Sequence, residues 1–396
     1  MSNTQTKNVP ELRFPGFEGE YSLDIFGNLA TNKSDKFNPQ NENASIDIEL
    51  DCIEQNTGRL IKIYNSKEFS SQKNKFNPQN VLYGKLRPYL NKYYFTKKSG
   101  VCSSEIWVLK STKEDKLLNL FLYYFIQTKR YSDVASKSAG SKMPRADWGL
   151  IENIRVYFPE LCEQQKIGEF FSKLDRQIVL EEQKLELLQQ QKKGYMQKIF
   201  SQELRFKDEN GNDYPEWVVK LIGDIGKVAM NKRIYKHETS ANEEIPFYKI
   251  GNFGKKADTF ISREQFNEYK EKYPYPKKGD ILISASGSIG KTIEYKGEEA
   301  YYQDSNIVWL DHNEEVLNVF LKYFYILVKW NGVEGTTIKR LYNKNILNTK
   351  IDLPTISEQQ KIGDFFCYID NLIEIQEQKL EFLKRRKQSL LQKMFV

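Results

Sequence analysis

The stretch from Val156 to Phe200 is written a second time, without gaps, as Ile351 to Phe395, a shift of 195 with 21 identities in 45 positions. Its densest part is Glu163-Gln164-Gln165-Lys166-Ile167-Gly168 followed by Phe170-Phe171. That part returns as Glu358-Gln359-Gln360-Lys361-Ile362-Gly363 followed by Phe365-Phe366. The repetition reaches further. Leu117–Phe125 matches Val316–Phe324 at six of nine positions, Glu11-Leu12-Arg13-Phe14 returns as Glu203-Leu204-Arg205-Phe206, and Ser104–Leu109 resembles Ser305–Leu310. Solenoid repeats have periods of roughly 20–50 residues, so this one is too long for a solenoid. It describes a duplicated domain with a duplicated connector, in the order globular, helix, globular, helix.

Residues 163–200 and 358–395 read as long helices. Neither contains proline, while Pro159 and Pro354 stand just ahead of them, which suits a helix start. A 4-3 spacing of apolar residues runs along each. The first seam carries Ile167, Phe171, Leu174, Ile178, Leu185, Leu188, Tyr195 and Ile199. The second carries Ile362, Phe366, Ile369, Ile373, Leu380, Leu383, Leu390 and Met394. Polar breaks fall at equivalent places, Glu181 with Gln376 and Lys192 with Lys387. Such a seam buries itself against another helix. An antiparallel pairing centred between residues 186 and 187 would set Glu181 opposite Lys387 and Lys192 opposite Gln376, matching charge and fixing register. Packing of each helix on its own domain is the plainer alternative.

Between the helices the sequence is mixed. Asn80-Val81-Leu82-Tyr83 and Asp280-Ile281-Leu282-Ile283-Ser284 are strand-like runs bounded by turn residues, and each half has one apolar helix candidate, 116–130 or 315–330. The expected class is α+β with a twisted sheet in each half. No apolar run approaches the ~18 residues of a membrane span. The polar start, Met1–Pro10, lacks the apolar core of a secretory signal. The cytoplasm is the expected location.

Catalytic material is sparse. Cys52, Cys102, Cys162 and Cys367 are far apart, with no CxxC spacing for zinc, and read as reduced thiols. The two histidines, His237 and His312, have no metal-site spacing. Residues 285–292, Ala-Ser-Gly-Ser-Ile-Gly-Lys-Thr, resemble a relaxed phosphate-binding loop. Yet the first glycine of that pattern is Ala285, and the segment after Lys291 alternates like a strand where a phosphate loop must open a helix. The other half has Tyr83-Gly84-Lys85-Leu86-Arg87 there. Phe37-Asn38-Pro39-Gln40 and Phe76-Asn77-Pro78-Gln79 lack the second proline and aromatic residue of a base-flipping tetrad and read as turns. Glu182-Gln183-Lys184 has a nuclease-like spacing, but it lies on the expected coiled coil without a preceding catalytic Asp.

What remains is binding chemistry. Residues 1–159 hold 23 basic against 17 acidic residues, while 201–354 balance at 23 each, within a net charge of +7. This permits a nucleic-acid partner. Cations neutralise phosphate, and Arg and Asn also make bidentate contacts to bases. One candidate cluster holds Lys85, Arg87, Tyr89, Asn91 and Lys92, and a second holds Ser141, Lys142 and Arg145. The other half offers Ser286, Ser288, Lys291, Tyr302, Asn306, Lys339, Arg340, Tyr342 and Asn343. These loops differ between halves while the helices and apolar runs agree. The same clusters also suit ordinary solvated loops.

The two Glu-Gln-Gln-Lys-Ile motifs, each after a Pro-containing strand end and before a long helix, resemble those of the specificity subunit of Type I restriction–modification systems. Glu11-Leu12-Arg13-Phe14-Pro15-Gly16-Phe17, and Gly279–Ser284 with Gly290-Lys291, add to the resemblance, which spans essentially the whole chain. It implies two target-recognition domains, 1–159 and 203–354, separated by an antiparallel coiled coil of two conserved helices, 160–202 and 355–396. Each domain would read one half of a gapped site on double-stranded DNA. Two methylation subunits would dock on the helices, and restriction (motor) subunits would join through them. The subunit itself would be non-catalytic, with S-adenosylmethionine, ATP and magnesium used by its partners. The 34 residues from Ile167 to Phe200 would span roughly 50 Å at ~1.5 Å per residue, or about 15 base pairs at ~3.4 Å each, an upper limit on half-site separation. Two other readings stay open. One is a nucleotide-binding enzyme using 285–292, which tight ATP binding would reveal. The other is a coiled-coil protein adaptor that makes no DNA contact.

Overall fold

The computed structural model describes residues 8–43, 45–137, 142–330 and 340–396. The long helices run Leu161–Phe200 and Ile356–Met394, two residues ahead of their expected starts. The chain divides into two compact units. Unit one is residues 1–183 with 378–396, and unit two is residues 184–377. Each unit thus takes part of both long helices.

Within each unit the helix segments run antiparallel. In unit one Asp175 meets Lys387 at 2.6 Å and Glu181 meets Lys379 at 2.5 Å, so numbering rises on one helix as it falls on the other. In unit two Lys192 meets Asp370 at 2.5 Å, and the Tyr195 and Phe365 rings meet edge-on at 5.2 Å. The antiparallel expectation holds inside each unit, but its register is corrected. Glu181 pairs with Lys379 in place of Lys387, and Lys192 with Asp370 in place of Gln376. The physical reason lies outside the seam. Tyr124 donates to Asp175 at 3.0 Å and Tyr323 donates to Asp370 at 2.8 Å, so each carboxylate that takes a lysine is also held from the globular part.

The seam residues Phe171, Leu174, Ile199, Phe366, Ile369, Leu380, Leu383 and Met394 are buried, and Ile178, Leu185, Leu188 and Ile373 are half-buried. They also close the globular cores. Ile167, Phe171, Leu383, Met394 and Phe395 share one core with Phe121 and Phe125, and Ile199, Ile362 and Phe366 share another with Phe320 and Tyr323. Packing on the domain and packing between helices are therefore the same packing. Each fully buried Ile or Phe in it stabilises by ~1.5–3 kcal/mol.

Both units repeat one sheet plan. In unit one Ser22–Ile25 pairs antiparallel with Arg155–Phe158, and a four-stranded sheet runs Ala30–Thr31, Ile106–Ser111, Val81–Gly84, Tyr93–Phe95. In unit two Val218–Leu221 pairs with Lys350–Leu353, and the sheet runs Gly226–Ala229, Ile307–His312, Ile281–Ser284, Thr292–Glu294. The units diverge in a second sheet. It has five strands in unit one, and three strands in unit two with the helix Arg263–Lys272. The apolar helices are shorter than expected, Asn119–Phe125 and Asn318–Leu327. The first stops because the Thr128 hydroxyl donates to the Phe125 carbonyl at 2.7 Å, and Thr128 then begins the separate helix Lys129–Ala135.

The repeated motif is a clamp. Glu163, 1% exposed, accepts two hydrogen bonds from Arg13 and one from Tyr21; Glu358 accepts two from Arg205 and one from Trp217. The next residue ties down the other side. Gln164 accepts from Leu118 N–H at 2.9 Å and donates to the Lys116 and Pro159 carbonyls, and Gln359 does the same with Leu317, Glu315 and Pro354. These side chains satisfy backbone groups that burial would otherwise leave unpaired. Gly168 and Gly363 admit the apolar helix. A Cβ there would sit 2.7 Å from Leu120 and 2.5 Å from Val319.

Candidate nucleic-acid interface

At one end of each four-stranded sheet, three chain segments converge in the same pattern. In unit one the Lys85 N–H donates to the Glu105 carbonyl (3.0 Å), the Ala146 N–H donates to the Lys85 carbonyl (2.8 Å), and Leu86 bridges Arg145. In unit two the Ala285 N–H donates to the Asn306 carbonyl (2.8 Å), the Leu341 N–H donates to the Ala285 carbonyl (2.8 Å), and Ser286 bridges Arg340. Positions 85/285, 86/286, 105/306 and 145/340 are therefore structurally equivalent. The arginine recurs while its neighbours change.

The side chains at this node differ in chemistry. Glu105 accepts from Arg145 Nε at 2.9 Å and Nη2 at 3.1 Å. The hydrogen bonds and charge of Glu105 hold the Arg145 guanidinium above its ordinary range. In unit two the Ser286 hydroxyl donates to Asn306 Oδ1 at 2.8 Å, and Arg340 Nη2 donates to the Ser305 carbonyl at 3.0 Å. Arg233 flanks this node through Asp304 at 2.9 Å.

Beside the unit-one node, Arg87 and Asn91 hold left-handed backbone conformations (φ 53° and 46°) around Pro88–Leu90. Such conformations are uncommon for non-glycine residues. Arg87 donates its N–H to the Pro144 carbonyl at 2.7 Å, which binds the two candidate loops to each other. Arg87, Tyr89, Lys142 and Arg145 are exposed, and Lys85 and Asn91 half-buried. In unit two Ser288, Tyr342 and Asn343 are exposed. Ser141 and Lys339 lie outside the described residues.

Three candidates serve the scaffold. Tyr302 is 3% exposed, stacks on Tyr248 at 5.6 Å and donates to Glu298; its short strand is buried on both faces, with Tyr301 buried as well. Lys92 donates to the Leu50 carbonyl at 2.5 Å and Lys291 to the Phe253 carbonyl at 2.6 Å. The 285–292 loop closes a hairpin, because Ile281–Ser284 pairs antiparallel with Thr292–Glu294. No helix follows Lys291 to hold a phosphate, as the alternation after it indicates. Glu105 is absent from the sequence-based candidates. The alignment of Ser104-Glu105-Ile106 with Ser305-Asn306-Ile307 is the signal that could have found it. Among the described residues, no group of three or more His, Cys, Asp or Glu could hold a metal ion, and no helix is long and apolar enough to cross a membrane.

The model of the Type I restriction modification DNA specificity domain matches residues 20–190 and 214–385. A Haemophilus influenzae chain that carries a type I restriction enzyme specificity subunit name, S.HindORF215P, is 42% identical over 261 residues, or 63% of each chain. The match thus spans under two thirds of that relative. Two solved structures share the fold. One, from work on complex assembly and conformational transition of the type I R-M system, has a TM-score of 0.60 at 17% identity, covering 94% of this chain and 97% of that one. The other, the S subunit of a Type I restriction–modification system from M. genitalium, has a TM-score of 0.56 at 17% identity, covering 98% and 99%.

Proposed function

Since the chain belongs to the family of Type I restriction modification DNA specificity domains, we propose that it is a non-catalytic subunit that reads a bipartite, gapped DNA site. Each unit contacts one half-site, and the two long helices dock methylation subunits. Restriction subunits join through that assembly in the cytoplasm, and S-adenosylmethionine, ATP and magnesium are used by the partners. The observation that carries this reading is the node built twice. One backbone arrangement presents an arginine in both units, with side chains of different hydrogen-bonding character around it. A duplicated frame with unlike reading groups is what two unlike half-sites require. The divergent second sheets agree with it.

The test is binding of the full chain, assembled with its methylation subunits, to randomised duplex DNA across a salt series. Binding steepens as salt falls, since cations displace counterions from phosphate, and the enriched duplexes share two short motifs at fixed spacing. Salt-insensitive binding, or none, would leave the adaptor reading. Tight ATP binding by the chain alone would favour the enzyme reading, which the hairpin geometry of residues 285–292 opposes.

A further inference from the structure

We propose that positions 105 and 306 are equivalent specificity determinants, each reading the base beside a guanine held by Arg145 or Arg340: cytosine through Glu105, adenine through Asn306. This rests on the DNA-reading function above and adds to it which base each unit selects.

The geometry assigns the equivalence without appeal to sequence likeness. Residue 105 and residue 306 each accept a backbone hydrogen bond from the residue after the Val81–Gly84 or Ile281–Ser284 strand. Each lies just before a six-residue strand, Ile106–Ser111 or Ile307–His312. Each stands across a bridge from its arginine, Leu86 with Arg145 and Ser286 with Arg340. A side chain at either position therefore leaves the same place in the fold, close in the chain to an arginine contact: Arg145 bonds the Glu105 carboxylate, and Arg340 bonds the carbonyl of Ser305, the residue before Asn306.

The chemistry then separates the units. An arginine fork matches the O6 and N7 acceptors of guanine, a carboxylate accepts from the N4 amino group of cytosine, and an asparagine amide matches N6 and N7 of adenine. Arg145 is half exposed and Glu105 about a quarter exposed, and both of Glu105's oxygens already face Arg145. Each carboxylate oxygen has a second lone pair, so Glu105 can hold Arg145 in its fork and still accept from a base. Against guanine O6 or thymine O4 the same carboxylate meets an acceptor and is rejected. In unit two, Asn306 Oδ1 receives the Ser286 hydroxyl, which orients the amide, and that oxygen too retains a second lone pair. Arg340 is braced by the Ser305 carbonyl and by the Tyr342 ring at 5.8 Å. The pairing of Glu105 with Arg145 thus does two things. It fixes the arginine fork before DNA arrives, and it places a lone acceptor beside it.

The experiment is selection from randomised duplexes by the full chain with its methylation subunits, comparing wild type with Glu105→Asn, Asn306→Glu and Arg145→Lys. Glu105→Asn is expected to move one column of one half-site from cytosine to adenine, by roughly 10- to 100-fold in relative enrichment, and to leave the other half-site unchanged. Asn306→Glu makes the converse change in the other half-site. Arg145→Lys keeps the charge but loses the fork, and flattens the neighbouring guanine column. If wild type enriches a gapped motif and both position-105 and position-306 variants enrich that same motif, the inference is overturned while the DNA-reading function stands. If wild type enriches nothing, the function beneath it fails as well. The two substitutions sit in separate units, so unfolding of one variant, seen as a lowered melting temperature, leaves the other to decide.

Discussion

Lys387 reaches Asp175 at 2.6 Å, and the same carboxylate accepts from the Tyr124 hydroxyl at 3.0 Å. Lys192, Asp370 and Tyr323 form the matching triad in unit two. A lysine from one helix, a carboxylate from the other and a tyrosine from the sheet domain meet at one point, so helix register and domain docking are set together. Lys387 is only 11% exposed in its side chain, which makes the pair costly to leave half-made. A double-mutant cycle on Lys387→Met and Asp175→Asn, followed by chemical denaturation, is expected to give a coupling energy of about 1–3 kcal/mol. Additive single effects would show that the pair does not set register.

The Glu358 clamp predicts a larger loss. Glu358→Ala leaves Arg205 and the Trp217 indole N–H facing a void in a site where the carboxylate was fully buried. Removing one partner of such a pair costs about 3–5 kcal/mol, with the low end expected because Arg205 keeps 22% of its surface. Thermal melting reads it, and Glu163→Ala should behave alike through Arg13 and Tyr21.

At Gly168 the usual sign reverses. In a helix interior, alanine is normally better than glycine by about 1 kcal/mol. Here the added methyl meets Leu120 at 2.7 Å, and at Gly363 it meets Val319 at 2.5 Å. Overpacking of this kind costs about 1–3 kcal/mol, so Gly168→Ala and Gly363→Ala are expected to lower the melting temperature, whereas the control Gly194→Ala, where an added Cβ meets nothing within 4 Å, raises it.

Acid should loosen unit one through Glu182. Burial pushes its carboxyl up, but hydrogen bonds and charge from Lys384 and Arg59 outweigh burial and leave it below its ordinary value of 4.5. A depressed folded-state value means that the unfolded chain binds the proton first. The stabilisation is present above about pH 4.5 and is lost as pH falls through the folded value. Glu182→Gln removes that part of the acid slope, measured as denaturation midpoints between neutral pH and the acid range.

Phosphate contacts separate from scaffold contacts by salt. Arg87→Glu and Lys142→Glu are expected to weaken DNA binding across all sequences and to reduce the salt slope by about one per lost contact. Lys92→Met and Tyr302→Phe, whose polar ends bond to Leu50 and Glu298, should change melting more than binding. Unchanged affinity for both charge reversals would remove those loops from the interface.

The duplication, the two long helices and their antiparallel sense were legible because apolar spacing and repeated motifs are one-dimensional signals. The helix register was not. A seam of period seven fits itself at several offsets, and the residues that choose among them, Asp175 and Asp370, sit beside the seam and are held by Tyr124 and Tyr323 from elsewhere in the chain. The candidate site was half legible. Residue type identified Arg145, Arg340 and Asn306, but a carboxylate such as Glu105 does not look like a DNA contact until its arginine is seen across it. Conversely, Tyr302 looked available in a loop-like run and proved to face the core. Alternation could not show it, because both faces of its short strand are covered and Tyr301 is buried too.

The way residues 378–396 close unit one has a consequence for synthesis. The Lys393 carbonyl accepts from the Leu12 N–H at 2.9 Å, and the Phe395 ring lies 4.8 Å from that of Phe121 in the core. Unit two is one uninterrupted length of chain and holds its own helix segments. Although domains generally mature in the order they leave the ribosome, unit one draws on residues 378–396 and closes only after these have emerged, whereas unit two needs nothing beyond residue 377. Once residue 377 has cleared the exit tunnel, and before residues 378–396 have followed, unit two can be complete while unit one is still open, so chaperone demand falls on the N-terminal half.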